Sequence, residues 1–175
     1  AQGGSMAARL KYSPEEMPKL AGQVEASLKR LASPTTPDYA LDNTGSMESS
    51  VGATLGYREQ DSEYLLSYRR YFSELGICSC LRVESSDDFF EQIERDQPVD
   101  AHLYETDFDI DRPYQSVTHD SLLARGHWDH SLGNTTATLN FQYDHRQEFD
   151  VVRTSTGPQF NFRLTTLDTE IHHAH

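Results

Sequence analysis

The amino-acid sequence predicts an all-β fold, an antiparallel meander that is a partial segment of a transmembrane β-barrel, with one short helix in a long loop. Three observations predict this fold class. Apolar and polar residues alternate in several segments, the connections between these segments alternate between short and long, and aromatic residues collect near the segment ends. All three are typical of strands that cross a membrane as part of a barrel.

The period-two alternation predicts about seven strands. In 51–58 every second residue from Val51 to Tyr57 is apolar or aromatic, and a short polar turn separates this segment from the similar segment 63–72. Two alternating segments joined by a short turn indicate a β-hairpin. The same pattern predicts further strands at 6–12, 22–30, 119–129, 134–145 and 159–165.

The last of these strands has an alternation that changes phase. Phe160, Phe162 and Leu164 occupy every second position, and the residues between them are polar. We therefore expect the three apolar residues to share the apolar face. Near Thr166 the pattern slips by one residue, which indicates a β-bulge.

The connections differ in length on the two sides of the predicted sheet. Those around 12–21, 59–63 and 129–133 are short or moderate, whereas those around 33–48, 73–114 and 146–158 are longer. In outer-membrane barrels the long loops face the outside. The loop 73–114 is therefore predicted to be extracellular. Within it, a Ser or Asp cap precedes apolar residues at helical spacing, which predicts a short helix in 85–97.

The aromatic residues indicate two belts on the apolar face, one at each end of the strands. The inner belt is predicted to contain Tyr57, Tyr64 and Trp128. The outer belt is predicted to contain Phe72, Tyr143, Phe160 and Phe162.

The composition excludes some functions. The formal net charge is −13, which argues against a nucleic-acid partner because phosphate recognition needs clustered Lys and Arg. No phosphate-binding loop, metalloprotease motif or Ser-His-Asp set is present, so we expect no enzyme activity and no cofactor. The eight histidines are scattered, and the only two cysteines, Cys78 and Cys80, are too few for structural zinc, so no metal site is predicted. A Cys-x-Cys disulfide would be strained, so these cysteines are expected to be loop thiols.

Three phrases resemble the middle of the barrel of TonB-dependent outer-membrane receptors, in the iron-siderophore branch. They are SVGATLGYREQDSEYLLSYRRYFSELGI (50–77), DIDRPYQSVTHDSLLARGHW (109–128) and LNFQYDHRQEFDVVR (139–153). In the third phrase Gln142 precedes Tyr143, which reverses the order that is usual in the family.

The resemblance implies a role in a larger transporter. Residues 1–175 would be part of its barrel, without the plug domain and without the motif that engages TonB. Receptors of this family close with about 22 strands. The resemblance therefore implies that a parent receptor, located in the bacterial outer membrane, takes up a ferric siderophore or similar iron chelate, with TonB, the plug and membrane lipid as its partners.

In such a barrel, the polar face of the strands looks into the lumen. The residues predicted to face the lumen near the outer rim, with Asn161 nearby, are Arg69, Tyr71, His119, Asp144, Arg146 and Arg163. Arginine and histidine can contact an anionic chelate, and tyrosine can stack on an aromatic one. The alternative is that these residues bond to one another or to the plug.

Two other functions remain open. A soluble β-sandwich or lipocalin-like ligand-binding module would bury Val51, Leu55, Leu139 and Phe141 in one core, whereas a membrane barrel would leave them in an exposed apolar band. A passive pore would have the same band but no plug.

Overall fold

The structure, a computed structural model, describes residues 2–78, 85–98, 100–150 and 156–175. Within these ranges, seven strands form one antiparallel sheet whose spatial order equals the chain order. The strands are β1 (Gly3–Tyr12), β2 (Leu20–Leu31), β3 (Ser46–Glu59), β4 (Ser62–Gly76), β5 (Tyr114–His130), β6 (Gly133–Phe149) and β7 (Phe160–Ala174). The sheet is open, with β1 and β7 at its two edges. The predicted meander, a partial barrel segment, is confirmed.

The predicted alternation of short and long connections is also confirmed. Residues 60–61 and 131–132 make tight turns at one end of the sheet, where 13–19 joins β1 to β2. Residues 32–45, 77–113 and 150–159 form the connections at the other end. The longest connection is shorter than the predicted 73–114, because β4 continues to Gly76 with polar residues that still pair with β5.

The helix predicted inside this connection is present as α1 (Ser86–Ile93). The Ser85 side chain accepts a hydrogen bond from the backbone N–H of Asp88, at 3.1 Å, and so caps the first turn. A short 3-10 helix, Ala101–Leu103, follows.

The register of the strands divides the sheet into two faces, because residues directly opposite each other in an antiparallel pair point to the same side. We call one the apolar face. One continuous row of direct partners across it consists of Leu10, Val24, Ala53, Tyr68, Leu122, Phe141 and Leu167. The other, the polar face, carries pairs between neighbouring strands, Arg9–Glu25, Lys29–Glu48, Arg58–Glu63 and His119–Asp144. The pair Arg69–Glu25 on the same face joins β4 to β2 across β3.

The prediction for β7 is wrong in its phase. The register between β6 and β7 is continuous from Glu148 opposite Phe160 to Asn134 opposite Ala174, so no bulge interrupts the strand near Thr166. Phe162 is opposite Arg146 and therefore lies on the polar face. Phe160 and Leu164 lie on this face with it. The outer aromatic belt of the apolar face accordingly retains Phe72 and Tyr143 but not the two phenylalanines of β7.

Few side chains of the described residues are buried, and these lie in the connections between the strands. They include the apolar side chains of Ala32 and Ala101, and Ser33 is fully buried. The backbone N–H of Ser33 donates to the carbonyl of Asp107 at 2.8 Å, which joins the connection 32–45 to the connection 77–113.

Asn43 fastens these two connections together. Its amide nitrogen donates to the carbonyls of Ile77, Asp111 and Pro113 at 2.8–3.1 Å, and its Oδ1 accepts from the N–H of Asp111 at 2.8 Å. Asn43 adopts φ 50°, a left-handed conformation that asparagine tolerates. The chain passes so close that a Cβ at Gly76 would lie 2.3 Å from the Asn43 carbonyl oxygen, and only glycine fits there.

Candidate functional site

The centre of the candidate site is a row of three side chains across β4, β5 and β6 on the polar face. Tyr71 lies directly opposite His119, and His119 lies directly opposite Asp144. The Nδ1 atom of His119 is 2.5 Å from the Oδ1 atom of Asp144. The sequence analysis predicted these three residues for one site, and the strand register brings them together.

Arg69 lies one row nearer the tight turns. Its guanidinium donates to Oε1 of Glu25 at 2.8 Å, and the other oxygen of the same carboxylate accepts from Arg9 at 2.9 Å. Gln23 also donates to this carboxylate, at 3.4 Å. One glutamate on β2 thus holds two arginines from β1 and β4.

Arg146 lies one row nearer the long connections, where its guanidinium donates to Glu148 at 2.5 Å. Each predicted arginine or histidine on this face therefore has an acidic partner in the sheet. This agrees with the alternative from the sequence analysis, in which such residues bond within the protein. These pairs are largely open to solvent, with side-chain exposures of 65% for Arg69 and 51% for Arg146. Exposed ion pairs stabilise by only about 0–1 kcal/mol, so an anionic ligand can exchange with the acidic partner at little cost.

Arg163 does not belong to this group. It lies opposite His145, on the apolar face, and so points to the other side of the sheet from the other five predicted residues. The prediction that it shares their face is wrong, for the same reason that Phe160 and Phe162 were assigned to the wrong side.

The sequence analysis missed an aromatic platform beside the row. The rings of Phe160 and Phe162 are 6.0 Å apart between centroids and nearly parallel, with an interplanar angle of 11°. Both are about half exposed, and Leu164, opposite Asp144, extends the surface. An ion pair whose cation can exchange its acidic partner for an anionic ligand lies next to these flat apolar rings. Together they can bind a ligand that is both charged and aromatic. Alternation in the sequence does not show which face carries these rings, whereas the strand register does.

The apolar face has a separate cluster at the tight-turn end. The rings of Tyr57 and Tyr64 are 6.4 Å apart, and Trp128 meets Tyr64 edge-on at 5.9 Å. The indole N–H of Trp128 donates to the Tyr64 hydroxyl at 2.9 Å. The contacts within the predicted inner aromatic belt are therefore present.

Three histidines meet at the same end. The rings of His130 and His173 stack at 5.4 Å, and His175 meets His173 edge-on at 4.6 Å. Among the described residues, no group of three or more His, Cys, Asp or Glu side chains is arranged to hold a metal ion. Cys78 is disulfide-bonded, so the expectation of a free thiol is wrong for this residue, and Cys80 lies outside the described residues.

Among the described residues of the long connections, the ionisable side chain of Tyr104 is perturbed. Burial, together with the nearby carboxylates of Asp42 and Asp100, raises the pKa of the Tyr104 phenol. Loss of its proton is therefore unfavourable while the connections are packed together.

Comparison with protein-family models, with curated proteins and with solved structures found no match to the chain. None of the helices in the described ranges combines the length and the apolar character that crossing a membrane requires. The fold and the site define a class of protein built on an open antiparallel sheet, in which one face is apolar and the other carries paired charges.

Proposed function

We propose that this chain is part of the membrane barrel of an outer-membrane, TonB-dependent transporter that takes up a ferric siderophore or a similar iron chelate. The observation that carries the proposal is the apolar face. Val51, Leu55, Leu139 and Phe141, which a soluble module would bury, are 51%, 49%, 42% and 38% exposed. A continuous apolar surface of this extent needs to be covered, and membrane hydrocarbon would cover it.

The distribution of charge supports the same proposal. With few exceptions, the ion pairs of the strands lie on the polar face, where a water-filled lumen would solvate them. Among the described residues, the pair of Arg70 and Asp120, at 3.7 Å, lies on the apolar face. So does Glu59, which pairs with Lys19 at the tight-turn end. The pair of Arg70 and Asp120 lies in the row of Val51 and of Tyr143, a member of the outer aromatic belt, where a strand would approach the headgroups.

The aromatic cluster of Tyr57, Tyr64 and Trp128 marks the opposite boundary. Tyrosine and tryptophan favour membrane interfaces because the ring prefers an apolar environment while the hydroxyl or indole N–H needs a polar partner. Since β1 and β7 each have one edge with no strand beside it among the described residues, further strands would complete the barrel.

The ligand class depends on the sequence resemblance and on the polar face together. Arg69, Arg146 and His119 can exchange their acidic partners for the anionic groups of a chelate, while Tyr71 and the platform of Phe160 and Phe162 can stack on its aromatic parts. TonB and the plug would act on this site through the parent receptor.

The membrane part of the proposal can be tested with Trp128, the only tryptophan of the chain. We expect phosphatidylcholine brominated on its acyl chains to quench the fluorescence of Trp128 after the chain is folded into vesicles. In the matched control, Trp128→Phe is combined with His127→Trp, which moves the probe one residue along β5 and onto the polar face. This control should be quenched much less, and equal quenching of both would contradict the assignment of the faces.

The transport part is tested by ligand binding and uptake. Chain in detergent should retain a radioactive ferric siderophore in equilibrium dialysis, and Tyr71→Ala should weaken this retention while Tyr57→Ala, on the apolar face, should not. In cells that make the parent protein, uptake should stop when TonB is deleted. Uptake that continues without TonB would favour a passive pore.

A further inference from the structure

Arg163 occupies an unexpected place on the apolar face. It lies two residues from Thr165 on β7 and directly opposite His145, one row beyond Tyr143. From Leu167 toward the tight turns, the alternate residues of β7 on this face are Leu167, Thr169 and Ile171, which meet the apolar row of β6. Arg163 is therefore a cation at the edge of the apolar band, on the side of the long connections.

The other arginines on the apolar face of the strands have partners. Arg70 pairs with Asp120 at 3.7 Å, and Arg30 donates to the Phe108 carbonyl at 3.0 Å and lies over the Phe108 ring at 5.5 Å. Within the described part of the chain, the side chain of Arg163 has neither a hydrogen bond nor an ion pair, and the residue is exposed. An exposed guanidinium without a partner in the sheet is available to an anion from outside the sheet.

The surroundings of Arg163 favour such an anion. Asn161 lies next to it on the same face and accepts at Oδ1 from the ring of His145, at 2.8 Å, which leaves the asparagine amide N–H available as a donor. The acids of the neighbouring strand, Asp144 and Glu148, lie on the opposite face. On the apolar face, the carboxylate of Asp120 lies two strands away on β5 and is engaged by Tyr68 and Arg70, so a protein with a formal net charge of −13 presents here a small region of donors.

We propose that Arg163 and the side-chain amide of Asn161, which His145 holds in place, bind the phosphate of an anionic membrane lipid whose acyl chains lie along Tyr143 and Leu167. Arginine suits this role because its planar guanidinium matches two phosphate oxygens at once. A charge at the edge of a membrane-spanning band costs far less than a charge at its centre, so the position is tolerable. This inference depends on the membrane location proposed above, because a lipid can reach the apolar face only there.

The test is a lipid titration of the full chain in detergent micelles, followed by native mass spectrometry. The probes are phosphatidic acid, which carries a phosphomonoester, and phosphatidylcholine, whose headgroup is neutral overall. We expect phosphatidic acid to bind more tightly and Arg163→Gln to weaken that binding about fivefold, the factor that corresponds to about 1 kcal/mol for one cation at an anionic surface. Arg163→Lys keeps the charge and should retain most of the binding.

The matched control is Arg146→Gln, which removes an arginine from the polar face of the adjacent strand and should leave lipid binding unchanged. Equal binding of the two lipids, or equal losses in the Arg163 and Arg146 variants, would overturn the inference while the membrane assignment stands. Inorganic phosphate that displaces the lipid at equal concentration would also overturn it, in favour of a soluble anion. A chain that stays folded and monomeric without detergent would instead refute the proposed function.

Discussion

Leu139→Arg provides the sharpest test of which environment the apolar face meets. Leu139 lies near the middle of the apolar row of β6, with Ala137 on one side of it and Phe141 on the other, and it is 42% exposed in the sheet. If water covers this face, an exposed leucine can be replaced by arginine with a change in stability within about 0.5 kcal/mol. If hydrocarbon covers it, the guanidinium must enter the membrane.

The two environments predict different magnitudes. Arginine on the lipid side of a barrel costs about 2–4 kcal/mol at the membrane centre and about 0–1 kcal/mol near the interface. Thr135, on the same face of β6, is four residues nearer the tight turn, a distance of about 13 Å along a strand that rises about 3.3 Å per residue. Thr135→Arg should therefore cost much less than Leu139→Arg. Asn140→Arg, on the polar face, should cost little.

The assay is equilibrium unfolding of the chain in phosphatidylcholine vesicles with guanidinium chloride, with the free energy of unfolding compared among the three variants. The expected order of destabilisation is Leu139→Arg, then Thr135→Arg, then Asn140→Arg. If Leu139→Arg and Asn140→Arg differ by less than about 0.5 kcal/mol, the apolar face is not in hydrocarbon and the reasoning fails.

Three further outcomes follow from local contacts. Gly126→Ala places a Cβ 2.4 Å from the indole of Trp128, so it should displace the ring and shift its fluorescence, whereas Gly22→Ala, with 3.9 Å of room, should not. Asn43→Ala removes hydrogen bonds worth about 1 kcal/mol each, so limited proteolysis should cleave the connection 77–113 faster, and Asn43→Asp, which places a carboxylate oxygen against three backbone carbonyl oxygens, should accelerate cleavage at least as much. Because the pKa of Tyr104 is raised, the connections should be fully packed below the ordinary tyrosine pKa of about 10 and should loosen as pH rises through the raised value; alkaline proteolysis should show no such step in Tyr104→Phe.

The order and pairing of the strands were predictable from the sequence because period-two alternation is a local property. The hairpin of β3 and β4 combines two alternating segments with a turn at 60–61, and nothing beyond nearest neighbours is needed to define it. The ends of the strands were less predictable. From Tyr114 to Thr118, β5 continues to pair with both neighbours although its residues no longer alternate between apolar and polar.

The packing of the long connections was not predictable in this way. Asn43 bonds to Asp111, far away in the sequence, and no periodic pattern relates the two residues. Its role depends on backbone carbonyls that converge only once β4 and β5 have paired. The single sequence signal was an asparagine followed at once by Thr44 and Gly45, a composition typical of turns, which does not indicate a partner.

The faces of β7 were assigned wrongly because alternation shows which residues share a face but not which face of the sheet this is. Only pairing with a neighbouring strand decides that. Phe160 and Phe162 alternate with Asn161 and Arg163, and the natural assumption is that the phenylalanines join the apolar face. Farther along the same regular strand, Leu167 and Ile171 occupy odd positions and lie opposite Phe141 and Ala137. The two phenylalanines occupy even positions, so they cannot share a face with Leu167 and Ile171. Because Leu167 and Ile171 lie opposite the apolar residues of β6, they are on the apolar face and the phenylalanines are on the polar face.

This exchange of faces changes the chemistry expected of the site. The polar face loses the guanidinium of Arg163 and gains two stacked rings, while Arg69 and Arg146 are held by Glu25 and Glu148. A ligand that binds by charge alone would have to displace a carboxylate for each contact and would gain little, since the new ion pair replaces an equal one. A ligand that also covers the exposed rings gains the burial of apolar surface, at about 25 cal/mol per Å², with no ion pair broken. Recognition on this face should therefore depend more on the aromatic part of a ligand than on its charge, and Phe162→Ala should weaken binding more than Arg146→Gln does.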